Sequence, residues 1–247
     1  MNIVLLPAFP FDHRMWLAVA EDLSRDGHEI ALPDIRGLGE APDWEEHEPA
    51  TLTALARDVI RMLDALQIDK AVIGGCSLGG YISLEVLRQF PERVQGLILV
   101  DTKASADTEE QSVARQGRIK EVKATRSLDG ILGGIENRML APDSLDDAEV
   151  MKLFHDMLID VRIDGVCHLL DAMSKREAYF DELQKAKIPV LSLRGESDSV
   201  STLEDHEFIV RNVASSKHVE IHKAGHLAPL EQPVEVANAI REFLRSF

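Results

Sequence analysis

The sequence predicts an α/β protein: one mostly parallel sheet of about six strands, helices on both faces, and a helical insertion. Three observations carry this. Short apolar runs alternate with helix-periodic segments up to Asp101 and again from Pro189 onward. Between about 102 and 187 the alternation stops, giving way to many charges, several helix signals and no clear strand. A glycine-rich turn around Ser77 joins an apolar run directly to a helical pattern, as in a strand-turn-helix unit.

Each element has its own signal. Asn2 to Leu6 reads as a buried strand, broken by Pro7-Ala8-Phe9-Pro10. Arg14 to Arg25 has helical spacing, closed by Asp26-Gly27, and His28 to Leu32 is a second strand. After the loop Pro33–Gly39, Thr51 is a candidate N-cap for a helix carrying Leu52, Leu55, Ala56, Val59, Leu63 and Leu66. Lys70 to Gly74 is the third strand, the helix after Ser77 stops before Pro91, and Val94 to Asp101 is the fourth strand. In the insertion, Thr108-Glu109-Glu110-Gln111 is a capping-box pattern, Ser144 is a candidate cap after Pro142, and a further segment runs from Asp164 to Met173. Pro189 to Gly195 resumes the strands. Leu203–Val213 reads as a helix, Lys217–Ile221 as a strand, and a last helix opens at Pro233. The break and return of the alternation place residues 1–102 and 188–247 in one core domain, with 103–187 inserted between the fourth and fifth strands as a cap over one end of the sheet, and right-handed crossovers fix most of the topology.

The composition narrows the class. The 247 residues suffice for one large core, and 45% of them are hydrophobic. The net charge of −16 opposes nucleic acids and anionic membrane surfaces, and disfavours a highly anionic substrate unless a local arginine compensates. The N-terminus reads as a strand and not a signal peptide, and no apolar run is long enough to span a bilayer, so a cytoplasmic protein without membrane association is expected. Two cysteines, Cys76 and Cys167, make neither a disulfide framework nor a metal pattern. Oligomeric state leaves no signal.

The chemistry centres on Gly75-Cys76-Ser77-Leu78-Gly79, a G-x-S-x-G nucleophile elbow. The central residue of the five, Ser77 and not Cys76, is presented at the turn. Its neighbours two away must be glycine to clear the adjacent strand and helix. Serine needs a base, and the base an orienting acid; in folds that present the serine on such an elbow the three follow in the chain order serine, acid, histidine. His226, in the loop after the last strand, is the candidate base, with His222 at the strand end as competitor. Asp198, after the fifth strand, is the candidate acid ahead of Glu196, Asp205 and Asp101, the last of which ends the strand after the elbow helix. The N–H groups of Leu78 and Phe9 are the candidate oxyanion donors. His13, just after the Phe9 loop, is a further residue of interest.

These segments resemble the α/β-hydrolase superfamily across nearly the whole chain. The matches are Gly75 to Tyr81, Pro91-Glu92-Arg93-Val94 with Leu97 to Thr102, Asp34-Ile35-Arg36-Gly37-Leu38-Gly39, and Ala224 to Pro233. The short cap and Asp101 to Ala104 are similar to small carboxylesterases and the 3-oxoadipate enol-lactonase-like branch. Where many members carry His-Gly before the oxyanion residue, this chain has Pro7-Ala8. It also begins at the family's third strand, so the first two usual strands are expected to be missing. The resemblance implies a serine carboxylic ester hydrolase acting on a small to medium ester, with no cofactor or metal. The alternatives are an enol-lactone hydrolase, for which Arg138 or Arg162 should face the pocket, and a ligand receptor on the same fold. Met139, Met151, Met157 and Met173 suggest an adaptable apolar lining.

Overall fold

The computed structural model describes residues 1–45 and 47–247. The first half runs β1 (Asn2–Leu6), α1 (Leu17–Ser24), β2 (Glu29–Ala31), α2 (Leu52–Ala65), β3 (Ala71–Cys76), α3 (Leu78–Gln89) and β4 (Val94–Val100). An inserted helical segment follows: α4 (Glu109–Thr125), α5 (Asp129–Leu132), α6 (Glu136–Met139), α7 (Pro142–Leu145), α8 (Ala148–Leu158), α9 (Ile163–Ser174) and α10 (Phe180–Lys185). The chain then returns to the sheet with β5 (Val190–Gly195), α11 (Leu203–Asn212), β6 (Ser216–Ile221), α12 (Ala228–Glu231) and α13 (Pro233–Leu244).

Among the described residues the six strands form one sheet in the order β2-β1-β3-β4-β5-β6, every pair parallel. This is the expected six-stranded, parallel sheet. Parallel strands are buried on both faces, and the side-chain period of two sends alternate residues to each. Ile3, Leu5, Val72, Ile98, Val100, Leu191 and Leu193 pack in one layer with Val19 and Leu23 of α1 and Val236 and Ile240 of α13. Val4, Leu6, Ile73, Leu97 and Leu99 face the other layer with Leu55, Val59 and Leu63 of α2 and most of α3.

Strand order reverses beside β1: the chain steps outward to β2, then back across β1 to β3. In open α/β sheets the crevice at such a reversal, beyond the carboxyl ends of the strands, is where ligands bind. Here the loop after β1 holds Phe9 and the turn after β3 holds Ser77.

The predicted starts of α2 and α4 hold: Thr51 accepts from Ala54 N (3.0 Å), and Thr108 and Gln111 form a reciprocal capping box. One cap is corrected. Ser144 lies inside α7, and α8 is capped by Asp147, which accepts from Glu149 N and Val150 N. A carboxylate serves better there because it meets both N–H groups and the positive helix end.

Candidate active site

The elbow follows from residue size. A Cβ on Gly75 would land on the backbone of Gly79, and one on Gly79 would land on the Leu6 carbonyl of β1. Only glycines let α3 start this close to the sheet. The turn leaves Ser77 at φ 52° and ψ −109°, a strained conformation for a residue with a side chain. It is held by Ser77 N donating to Val100 O (2.9 Å), and by Thr102 Oγ1 donating to Ser77 O (2.9 Å). Leu78 is the first residue of α3, so its N–H has no acceptor within the helix. Cys76 is fully buried in β3, its Sγ donating to His226 O (3.3 Å), and burial pushes its thiol well up. It is a core residue.

His226 and Asp198 come together across 28 residues of chain. His226 Nδ1 lies 3.0 Å from Asp198 Oδ1, with both side chains essentially sealed from solvent. Asp198 also accepts from Val200 N (2.7 Å), Ser201 N (3.2 Å) and Ser201 Oγ. Burial opposes its charge, but His226 and these donors outweigh that and hold the carboxyl below its usual range. Burial likewise opposes an imidazolium at His226, yet Asp198 raises its pKa above 6.5. The competitors lie elsewhere. His222 is exposed and pairs with Glu196 (2.6 Å), and Asp205 completes the capping box of α11.

Two buried carboxylates fix the loops that carry this pair. Asp101 accepts from Gly195 N (2.7 Å), where the Asp198 loop begins, and from Ala228 N (3.1 Å), just past His226. Burial and the neighbouring Asp198 charge push its carboxyl well up. Glu231 accepts from Gly225 N (2.8 Å) and Leu227 N (3.1 Å) on either side of His226. Its other oxygen accepts from Ala141 N (2.7 Å) and Ser144 Oγ (2.7 Å) in the inserted segment. His226 N donates to Met139 O (2.7 Å), so the histidine loop is bonded directly to that segment.

Comparison with known proteins places this arrangement. The profile of the alpha/beta hydrolase fold family matches residues 2–122. A thermophilic esterase from Thermogutta terrifontis, solved with malate bound, is 33% identical over all of this chain and 90% of its own, with a TM-score of 0.93. The chain belongs to the α/β-hydrolase superfamily. The hydrolase is also 29% identical to 3-oxoadipate enol-lactonase 2 of Acinetobacter baylyi over 225 residues, 90% of this chain and 81% of that one. It shares its fold with the enol-lactonase of Burkholderia xenovorans (TM-score 0.87, 22% identity, 99% of this chain and 91% of that one).

The hydrolase has a cavity of about 300 Å³ that brings together Ser77, His226 and Phe9. The Phe9 loop makes its turn without glycine, closed by Phe11 N donating to Ala8 O (2.8 Å). Met139 and Met173 line the cavity, while Met157 is buried in the layer around α1 and Met151 packs at its edge. Arg138 lines the cavity as expected; Arg162 does not. Its guanidinium donates to Gly39 O (3.1 Å) and Ala41 O (2.6 Å) and pairs with Asp43 (2.8 Å), tying α9 to the loop after β2. Arg115 and Arg118 of α4, which the sequence reading did not single out, line the cavity instead. They sit three apart on a helix, so both lie on the face that covers Ser77.

A larger depression of about 580 Å³ lies between the loop after β2 and α2, but neither Ser77 nor His226 lines it. Its Arg36 is already paired with Glu48 (2.5 Å) and Asp58 (2.5 Å). His13 lies outside the Ser77 cavity, with Asp12 and Asp34. Among the described residues these three form a cluster of metal-ligand type. Its oxygens are engaged: Asp12 by Arg14 (2.9 and 2.7 Å), Asp34 by His13 Nδ1 (3.0 Å), His13 N (2.7 Å) and Glu40 N (2.7 Å). None of the described helices is long and apolar enough to cross a membrane.

Proposed function

We propose that this hydrolase cleaves small to medium carboxylic esters through Ser77, His226 and Asp198. The observation that carries the reading is the buried His226–Asp198 hydrogen bond of 3.0 Å, with His226 and the elbow serine lining one cavity. His226 Nε2 takes the Ser77 proton as Oγ attacks the ester carbonyl. Asp198 fixes the Nδ1–H tautomer and stabilises the imidazolium. The N–H groups of Leu78 and Phe9 receive the oxyanion. His226 then protonates the departing alcohol, and water, activated by the same histidine, releases the acid from Ser77. These steps require no cofactor. The test is covalent labelling: a fluorophosphonate is expected to modify one residue per chain, in the peptide that contains Ser77. A label on Cys76, or on any other residue, overturns the assignment.

A second reading, lactone hydrolysis, is favoured by the cavity charge. Arg115, Arg118 and Arg138 line it, and among the described residues no carboxylate lines it, although the chain carries a net charge of −16. Arg115 Nε is used on Asp107 (2.6 Å) and one Arg118 nitrogen on Glu121 (3.0 Å), leaving other guanidinium nitrogens for a ligand. An ester or enol-lactone bearing a carboxylate fits this field, and the similarity to 3-oxoadipate enol-lactonase 2 supports it. Arg138→Ala is expected to raise KM for a carboxylate-bearing ester or lactone about tenfold, the scale of one charge-assisted hydrogen bond. KM for the neutral p-nitrophenyl acetate should change less than about twofold. Equal effects on both substrates would assign Arg138 to packing and leave the simple esterase.

A further inference from the structure

We propose that Ser201, His206 and Ser192 form a one-way hydrogen-bonded chain behind Asp198 that sets the basicity of His226. They act as positioning residues for the reaction proposed above, on which this inference rests. The chain runs inward from the site. Ser201 Oγ bonds Asp198 Oδ2, His206 Nε2 lies 3.1 Å from Ser201 Oγ, and Ser192 Oγ lies 2.7 Å from His206 Nδ1. Ser192, Ser201 and His206 are all buried, the last completely.

The direction of every proton follows from chemistry. An ionised Asp198 can only accept, so the Ser201 hydroxyl must donate to it. The Ser201 oxygen then receives from His206, which requires the proton on Nε2. A neutral imidazole protonated there has a bare Nδ1, so the Ser192 hydroxyl donates to it. Burial keeps His206 neutral, pushing its pKa down to about 3. All three links therefore point their positive ends toward Asp198. Each disperses the carboxylate charge that would otherwise hold a proton on His226.

Packing alone does not call for this chain. Ser192 sits in β5 among Val190, Leu191 and Leu193, and His206 shares α11 with the buried Ile209. Buried polar groups there are tolerated only because each is satisfied by the next. Aliphatic residues would fill the same layer without needing partners.

The other groups facing Asp198 and His226 stay in place when this chain is cut. They are Asp101 at the end of β4, Glu231 of α12, Cys76 of β3 and Arg194 of β5 through its bond to Asp198 O (2.9 Å), while His218 of β6 lies against His206, their ring centroids 5.6 Å apart. Arg138 of α6 lines the same cavity as His226.

The sign of the effect is fixed. Removing a donor concentrates charge on Asp198, favours the His226 imidazolium and moves the acid limb of kcat/KM to higher pH. Ser201→Ala should shift that limb upward by about half a unit, a fraction of one charge-assisted hydrogen bond. His206→Phe, one link away, should shift it less, and Ser192→Ala least. Ser201→Thr, which keeps the hydroxyl, should restore the wild-type limb. The same order should appear in the His226 pKa read from nitrogen-15 shifts in the Ser77→Ala background. That reading needs no turnover, so it tests the chain even if Ser77→Ala shows the serine mechanism to be wrong. If the variants lower Tm while the His226 titration stays at its wild-type position, or if its shifts follow lost stability and not order along the chain, the inference is overturned.

Discussion

Ser77→Ala is expected to lower ester turnover by about 10⁴- to 10⁶-fold, the range seen when a triad nucleophile is removed. The fold should survive. Alanine keeps the Cβ that the φ of 52° already accommodates, and the hydrogen bonds that hold the turn use only Ser77 backbone atoms. Tm should therefore stay within about 2 °C of wild type, a change of less than about 1 kcal/mol at this chain length. The fluorophosphonate label should vanish with the hydroxyl. Ester turnover within tenfold of wild type in the purified variant would remove Ser77 from the mechanism.

The second large effect is expected at a residue that never reaches the substrate. Glu231→Ala strips the acceptor from three buried N–H groups and one hydroxyl at once. Each orphaned buried donor costs about 1–3 kcal/mol, less whatever an entering water restores, so a loss of roughly 3–6 kcal/mol and a Tm lower by roughly 10 °C or more are expected. Turnover should fall by at least about a hundredfold at a temperature where the variant is folded, because an ångström of drift in a catalytic group is enough for that. Glu231→Gln separates geometry from stability. Its amide oxygen can still serve Gly225 N and Leu227 N if the NH₂ turns toward Ser144, whose hydroxyl can rotate to accept. Ala141 N alone is then left without a partner, so most of the activity should return while part of the Tm loss remains. Alanine and glutamine variants that both behaved like wild type would show that the loop is held by other contacts.

The contrast between these two residues shows where sequence reasoning reaches. Ser77 is legible because the elbow is local: five consecutive residues dictate the turn, and the flanking strand and helix supply its context. Asp198 and His226 are legible because the fold assigns them places in the strand order, and the structure brings them within 3.0 Å. Glu231 stands in the same quoted segment as His226, yet its partners Ala141 and Ser144 are 90 and 87 residues away. No periodicity reports such a pairing. The available signal was the one acid in the mostly apolar run Leu227 to Pro233, which calls for buried donors. The arginines teach the same lesson. Arg162 and Arg138 were equally eligible by position in the insertion, but only the packing of α9 against the loop after β2 turns Arg162 away. Arg115 and Arg118 became visible only once α4 was seen to lie over the serine.

The bond from His226 N to Met139 O bears on how this scaffold can be rebuilt. A chimaera that exchanged the whole of 103–187 for a foreign insert would discard Met139, Ala141 and Ser144, and with them half of the frame that seats the histidine. Cutting instead between α5 and α6 would swap α4, with Arg115 and Arg118, and leave that frame intact. Arg115 and Arg118 therefore lie in a part of the insertion separable from the residues bonded to the His226 loop, whereas Arg138 stays with that frame, and recombination at residues 133–135 is the junction that divides the two.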